Sequence, residues 1–157
     1  MSGKNTVQEV ITGKEHPQLE GWETVESALA AFGTHQKRAL AIVDEGVFLG
    51  IFTYQDLMGR VLGKGLNPQQ IRVADVMTSV TRSVTPDCNI HDAFNTLITH
   101  KVSHLPVVGK NGFVGILSEE DLRPEIAHDL QELANERKQL ISYINGGEYG
   151  YAGVAFG

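Results

Sequence analysis

Along the 157-residue chain, the spacing of hydrophobic positions changes period in a set order, and it does so twice. In "VESALAAF" the apolar residues Val25, Ala28, Leu29 and Phe32 fall at i, i+3, i+4 and i+7, one face of a helix. In "IHDAFNTL" the positions Ile90, Ala93, Phe94 and Leu97 do the same. Each helical pattern gives way to a short apolar run, "ALAIV" or "HLPVV", of the length of a buried strand. Turn residues follow, "DEG" and "GKNG", and then a second strand, "VFLGIF" or "FVGIL". Both second strands end at the same corner, written "GIFTYQDL" from Gly50 and "GILSEEDL" from Gly115. A short lead-in strand is expected near Thr24 in the first copy and near Val84 and Thr85 in the second.

Residues 22–57 align with 87–122 at a constant offset of 65 without a gap, and ten of the 36 pairs are identical. The identities include Leu40/Leu105, Phe48/Phe113, Gly50/Gly115 and Asp56/Asp121. The segments "VQEVIT" and "VADVMT" precede the copies at an offset of 66. This is an internal duplication, and a unit of this size buries too little surface alone, so two copies should pack face to face with pseudo-twofold symmetry.

The pattern changes again after Pro124. Ile126, Leu130, Leu133, Arg137, Leu140 and Ile144 lie along one stripe, flanked by Ala127, Ala134 and Ile141, which predicts an amphipathic helix with Pro124 as its first residue and "NGG" at its end. The same proline should end or kink the short helix of the second corner. The first corner's helix is free to run through Met58 to Leu62. The expected organisation is repeat one at 5–64, a Gly- and Pro-containing linker at 65–71, repeat two at 72–124, the helix at 125–145 and a flexible Gly-rich tail at 146–157.

Composition narrows the function classes. A net charge of −6, from 19 acids against 13 bases, argues against a nucleic-acid scaffold, though a local pocket can still be basic. Cys88 is the single cysteine, so no intramolecular disulfide forms. No segment approaches membrane-spanning length, and the first residues lack an apolar core of signal-peptide length. A cytoplasmic protein with no membrane or nucleic-acid partner is expected.

The ordered set "VADVMT", "HKVSHLPVV" and "GFVGILSEEDL", with its partners in the first half, resembles a tandem pair of CBS domains, named for cystathionine β-synthase and together called a Bateman module. The resemblance covers roughly residues 5–125. It implies an α/β (α+β) fold of two interlocked βαββα repeats, here followed by the C-terminal helix. It also implies clefts that bind adenosyl ligands such as AMP, ADP, ATP, NAD or S-adenosylmethionine, and a homodimer, as in small stand-alone bacterial proteins of this kind.

Thr53 with Asp56, and Ser118 with Asp121, read in two compatible ways. A hydroxyl followed three residues later by an acid is a helix cap, worth about 1 kcal/mol. On pattern alone the cap is the simpler account. The same corner also offers a hydroxyl and free amides to a phosphate and a carboxylate to a ribose diol. The resemblance assigns those roles: Thr53 and Ser118 near phosphate, Asp56 and Asp121 on ribose, and the strands around Arg38 and Ala39 and around Ser103, His104 and Pro106 along the adenine. The copies differ, since Pro106 replaces Ala41, and Lys37 and Arg38 put cations where the second copy has Val102 and Ser103. His104 stands where some relatives carry a basic phosphate contact, and is equally well a histidine at a strand start. A ligand-free interaction dimer, recognising an effector protein through the long helix, is the alternative function.

Catalytic and metal chemistry find little support. Cys88 and His91 lack a third orienting group. His100 and His104 have helical metal spacing, but a helix-to-strand transition between them would break it. Gly63-Lys64-Gly65 lacks the rest of a phosphate loop. No catalytic residue, metal or required cofactor is expected.

Overall fold

The computed structural model of the protein describes residues 3–79 and 82–146. Residues Asn5–Leu122 form one compact unit. The described residues from Arg123 onward, with Gly3 and Lys4, form another.

The first unit contains both repeats. Repeat one runs from strand β1 (Gln18–Glu20) through helix α2 (Val25–His35) to strands β2 (Ala39–Asp44) and β3 (Val47–Thr53) and a short helix α3 (Tyr54–Asp56). Repeat two has helix α4 (Ile90–His100) and strands β5 (His104–Gly109) and β6 (Gly112–Ser118). A short helix α1 (Val7–Ile11) precedes repeat one in the chain, and a two-residue strand β4 (Thr78–Ser79) precedes repeat two. Both strand pairs are antiparallel hairpins with an irregularity at the matching place, between Ile42 and Val43 and between Val107 and Val108. The duplication extends to backbone conformation. α2 and α4 both end in a non-glycine residue in the left-handed region, Gln36 at φ 53° and Lys101 at φ 55°.

The lead-in strand lies earlier than the pattern suggests. β1 at Gln18–Glu20 pairs in parallel with β2, and Thr24 is the cap of α2, accepting from the Ser27 N–H. Thr24 itself makes only an isolated antiparallel bridge, to Arg72, while its hydroxyl caps the helix. Val84 does bridge Val107 in parallel, at the position equivalent to Leu19 against Ile42. Leu29, expected on the inner face of α2, is 38% exposed, while Val25, Ala28 and Phe32 are buried.

The packed halves do not follow the chain boundaries. The segment ahead of repeat one is bonded to repeat two: Val7 N–H donates to Cys88 O at 2.9 Å, and Ile90 N–H to Asn5 O at 3.0 Å. The segment ahead of repeat two is bonded to repeat one in the same manner, with Val73 N–H on Glu23 O at 2.8 Å and Val25 N–H on Ile71 O at 2.9 Å. Each arm therefore crosses to close the other repeat's core. Val7, Val10 and Ile11 are buried in one case and Val73 and Val76 in the other.

Between the hairpins, Ala39, Ala41, Ile51 and Ile116 form a buried cluster. Phe48 and Phe113, equivalent residues, stack across it at 4.6 Å between ring centroids. The alanines keep β2 close to β6, and the two stacked rings pack against this cluster. The pseudo-twofold relation between the repeats runs through this seam.

The corner helices depart from expectation in both copies. After Asp56 the chain does continue to Leu62 and beyond, but as a π-helical turn (Leu57–Val61) and a 3₁₀ turn (Leu62–Lys64) rather than regular helix. A Cβ at Gly63 would lie 2.7 Å from Met58 O, so the close backbone approach in this turn requires glycine. In the second copy Pro124 neither ends nor starts a helix; it lies inside a single helix α5 (Glu119–Gly146) of 28 residues. So near the amino end the missing N–H removes a single ladder bond, and the residues beyond re-form the helix. In the second unit, Lys4 N–H donates to Glu125 Oε1 at 3.1 Å. Leu130, Leu133, Leu140, Ile141 and Ile144 lie exposed along α5. The expected Gly-rich tail, apart from Gly146, lies outside the described residues.

Candidate ligand clefts

Two clefts open where the repeats meet. The first, about 340 Å³, is lined by Thr53 and Asp56 from the corner of repeat one and by Ser103, His104, Leu105 and Pro106 from β5 of repeat two. The second, about 280 Å³, is lined by Ser118 and Asp121 from the other corner and by Arg38 and Ala39 at the start of β2. Each corner thus faces the strand of the opposite repeat, a pairing that hairpin register alone does not suggest, since Ala39 is the ladder partner of Thr53 and His104 of Ser118. All nine residues singled out from the sequence line one cleft or the other, and His104 lines both.

Both corners are capping arrangements. At the first, Thr53 Oγ1 accepts from the Asp56 N–H at 3.3 Å while Asp56 Oδ2 accepts from the Thr53 N–H at 3.0 Å, a reciprocal box. At the second, Ser118 Oγ accepts from the Asp121 N–H and Asp121 Oδ2 from the Ser118 N–H, both at 3.0 Å. What remains of each carboxylate is held differently. Asp56 Oδ1 accepts from Thr78 Oγ1 at 2.7 Å and lies 3.6 Å from Arg60 Nε, with its side chain only 6% exposed. Asp121 Oδ1 accepts from Lys14 Nζ at 2.8 Å, with the carboxylate 21% exposed. Burial works to raise the Asp121 carboxyl, but the Lys14 ammonium and the bonds from Ser118 outweigh it and hold the group below the ordinary carboxylate range.

The second contrast lies beside the carboxylates. β3 is covered by β4 through pairs Gly50↔Ser79 and Ile51↔Thr78. At the equivalent edge of β6 an imidazole takes that place: Ile116 N–H donates to His16 Nδ1 at 3.2 Å. With Nδ1 accepting, the ring proton sits on Nε2 and is directed to Ile11 O at 3.3 Å, which defines the tautomer. Thr78, His16 and Lys14 were not legible as site residues. Thr78 ends the "VADVMT" segment and so carried a faint signal; Lys14 and His16 carried none.

His104 bonds Ser103 Oγ through Nδ1 at 2.9 Å. Burial pushes its imidazole below the ordinary histidine value; Asp121 and Glu120 pull the other way, and Arg38 adds to the fall. The metal spacing of His100 and His104 is broken as expected, because α4 ends at His100 and Lys101 turns left-handed before β5. Among the described residues no group of three or more His, Cys, Asp or Glu is placed to hold a metal ion. Cys88 is partly buried, and that burial, with Asp92 and Asp87 nearby, raises its thiol, the opposite of an activated nucleophile. Among the described residues no helix is long and apolar enough to cross a membrane.

Two βαββα-type repeats, exchanged arms and paired clefts at the seam define a tandem-repeat regulatory module. The family model of the CBS domain matches residues 23–63 and 73–128, and the chain belongs to that family. It is similar to the CBS domain-containing protein CBSX3, mitochondrial, of Arabidopsis thaliana, at 26% identity over 90% of this chain and 73% of that one. It is also similar to the CBS domain-containing protein YhcV of Bacillus subtilis, at 30% identity over 64% of this chain and 71% of that one. Among solved structures, the CBS-domain containing protein ATU1752 from Agrobacterium tumefaciens matches at a TM-score of 0.70 and 23% identity, over 77% of this chain and 92% of that one.

Proposed function

We propose that the protein is a non-enzymatic cytoplasmic sensor that binds an adenosyl ligand in the clefts at the seam: AMP, ADP or ATP first, with NAD and S-adenosylmethionine as further members of the class. The feature that supports this most directly is the doubled corner. Each hydroxyl–carboxylate pair faces the strand of the opposite repeat across a cleft of 280–340 Å³, near the lower end of small-molecule sites. A ligand touching both repeats binds most tightly in one arrangement of the seam, and it shifts the module toward that arrangement by its difference in affinity.

Thermal denaturation with and without each ligand tests this. A ligand at a hundred times its dissociation constant adds about 2.7 kcal/mol of stability. The gain should shrink in Asp56→Ala or Asp121→Ala, according to which cleft binds. No gain with any of the five ligands refutes the sensor, and a gain that survives both substitutions refutes the ribose role.

The exposed stripe of α5, from Leu130 to Ile144, supports a homodimer and, in the absence of any ligand response, an interaction protein that engages an effector through the same helix. Leu133→Arg with Leu140→Arg should then lower the mass measured by sedimentation.

A further inference from the structure

The two clefts share a plan, yet what holds the carboxylate differs, and that difference bears on which ligand each accepts. In the first cleft Asp56 is closed off. Thr53 and Thr78 together supply three donors, Arg60 lies beside it, and Thr78 is carried on a strand paired to β3. A ribose diol would have to displace a hydroxyl that backbone pairing keeps in place. In the second cleft the competing donor is the Lys14 ammonium, on a flexible side chain 36% exposed, which can leave Asp121 without any backbone moving. Lys37 and Arg38 line the same cleft. Of the acids in the same lining, Glu15 lies 2.9 Å from His35 Nδ1, and Glu120 lies 4.0 Å from Arg38 within the cleft.

Building on the adenosyl-ligand function above, we propose that the Asp121 cleft selects a nucleoside carrying a polyphosphate, and that Lys14 determines this specificity. On binding, the ammonium passes from Asp121 Oδ1 to the phosphates, and the carboxylate it leaves accepts the ribose diol. The exchange gives the ammonium a new counter-charge and leaves the carboxylate hydrogen-bonded to two hydroxyls in place of its cation. A neutral nucleoside separates Lys14 from Asp121 and returns nothing to the ammonium, whereas a phosphate chain replaces the lost partner with a charge-assisted bond.

Calorimetric titration of the full chain with adenosine, AMP and ATP tests the exchange, comparing wild type with Lys14→Met, Lys14→Arg and Arg82→Met, since Arg82 is a cation lining the first cleft. The wild type should prefer ATP to AMP and AMP to adenosine. Lys14→Met should weaken ATP about tenfold, the worth of one screened charge-assisted bond, and leave adenosine unchanged or bound several-fold tighter. Lys14→Arg and Arg82→Met should keep the ATP preference; if Lys14→Met does not fold, Lys14→Gln replaces it. The proposal falls if Lys14→Met leaves ATP binding intact, if it weakens all three ligands alike, or if Arg82→Met is the change that removes the preference. A wild type that binds none of the three overturns the nucleotide function itself and this inference with it.

Discussion

Replacing Asp56 with alanine should destabilise the fold markedly more than replacing Asp121, although the two are equivalent by repeat. Asp56→Ala removes the carboxylate half of the reciprocal cap and keeps the Thr53 Oγ1 bond to the backbone N–H of residue 56. It also leaves the Thr78 hydroxyl and the Thr53 N–H, both in part-buried surroundings, without their acceptor, at about 1–3 kcal/mol for each group that water cannot reach. The Arg60 contact adds little, since the guanidinium is half exposed and 3.6 Å away. A loss of about 2–6 kcal/mol is expected, which lowers the melting temperature of a chain this size by roughly 4–24 °C. Asp121→Ala loses the one bond from the Ser118 N–H and a partly exposed pair with Lys14, together about 1–2 kcal/mol and roughly 2–8 °C. Urea denaturation of the ligand-free protein reads the difference directly, and the slope of the transition should stay constant if only stability has changed. Equal losses, or a larger loss at Asp121, would refute the assignment of Asp56 to the core and Asp121 to an open site.

The glycines of the two second strands should also differ. A Cβ at Gly50 would run into Thr78 O, a backbone atom fixed by β4, so Gly50→Ala should cost about 2–4 kcal/mol in urea melts. At Gly115 the obstacle is the His16 ring at 2.8–2.9 Å, which can swing aside on losing its two bonds, so Gly115→Ala should cost about 1–2 kcal/mol. For pH, the His104 imidazole lies below its ordinary value in the fold, so the unfolded chain binds the proton more readily. Its contribution is complete above about pH 6.5 and is lost as pH falls from there through the folded value. The difference in urea midpoint between wild type and His104→Asn should therefore shrink on going from pH 8 to pH 5, and a constant difference would exclude this role.

How much of this was legible beforehand depended on the range of the interaction involved. The duplication, both amphipathic helices, both hairpins and the two capping corners follow from patterns within a few residues, where apolar period and capping chemistry act locally. Val25, Ala28 and Phe32 were readable because burial on one helix face leaves a period of 3.6. Pro124 misled because its cost depends on how much helix forms beyond it, and an unbroken helix runs to Gly146.

Three features required the tertiary structure. The arms around Val7 and Val73 cross to opposite repeats, each corner faces the other repeat's strand, and the two carboxylates have unlike partners in Thr78 and Lys14. Residues 14 and 121 are joined by an ion pair across more than a hundred positions of chain, and no local preference encodes such a meeting. The hydroxyl–carboxylate spacing shared by the two corners thus determines their shape. Their exposure and counter-charge are set by packing, because the electrostatics of a carboxylate depend on what lies within a few ångströms in space.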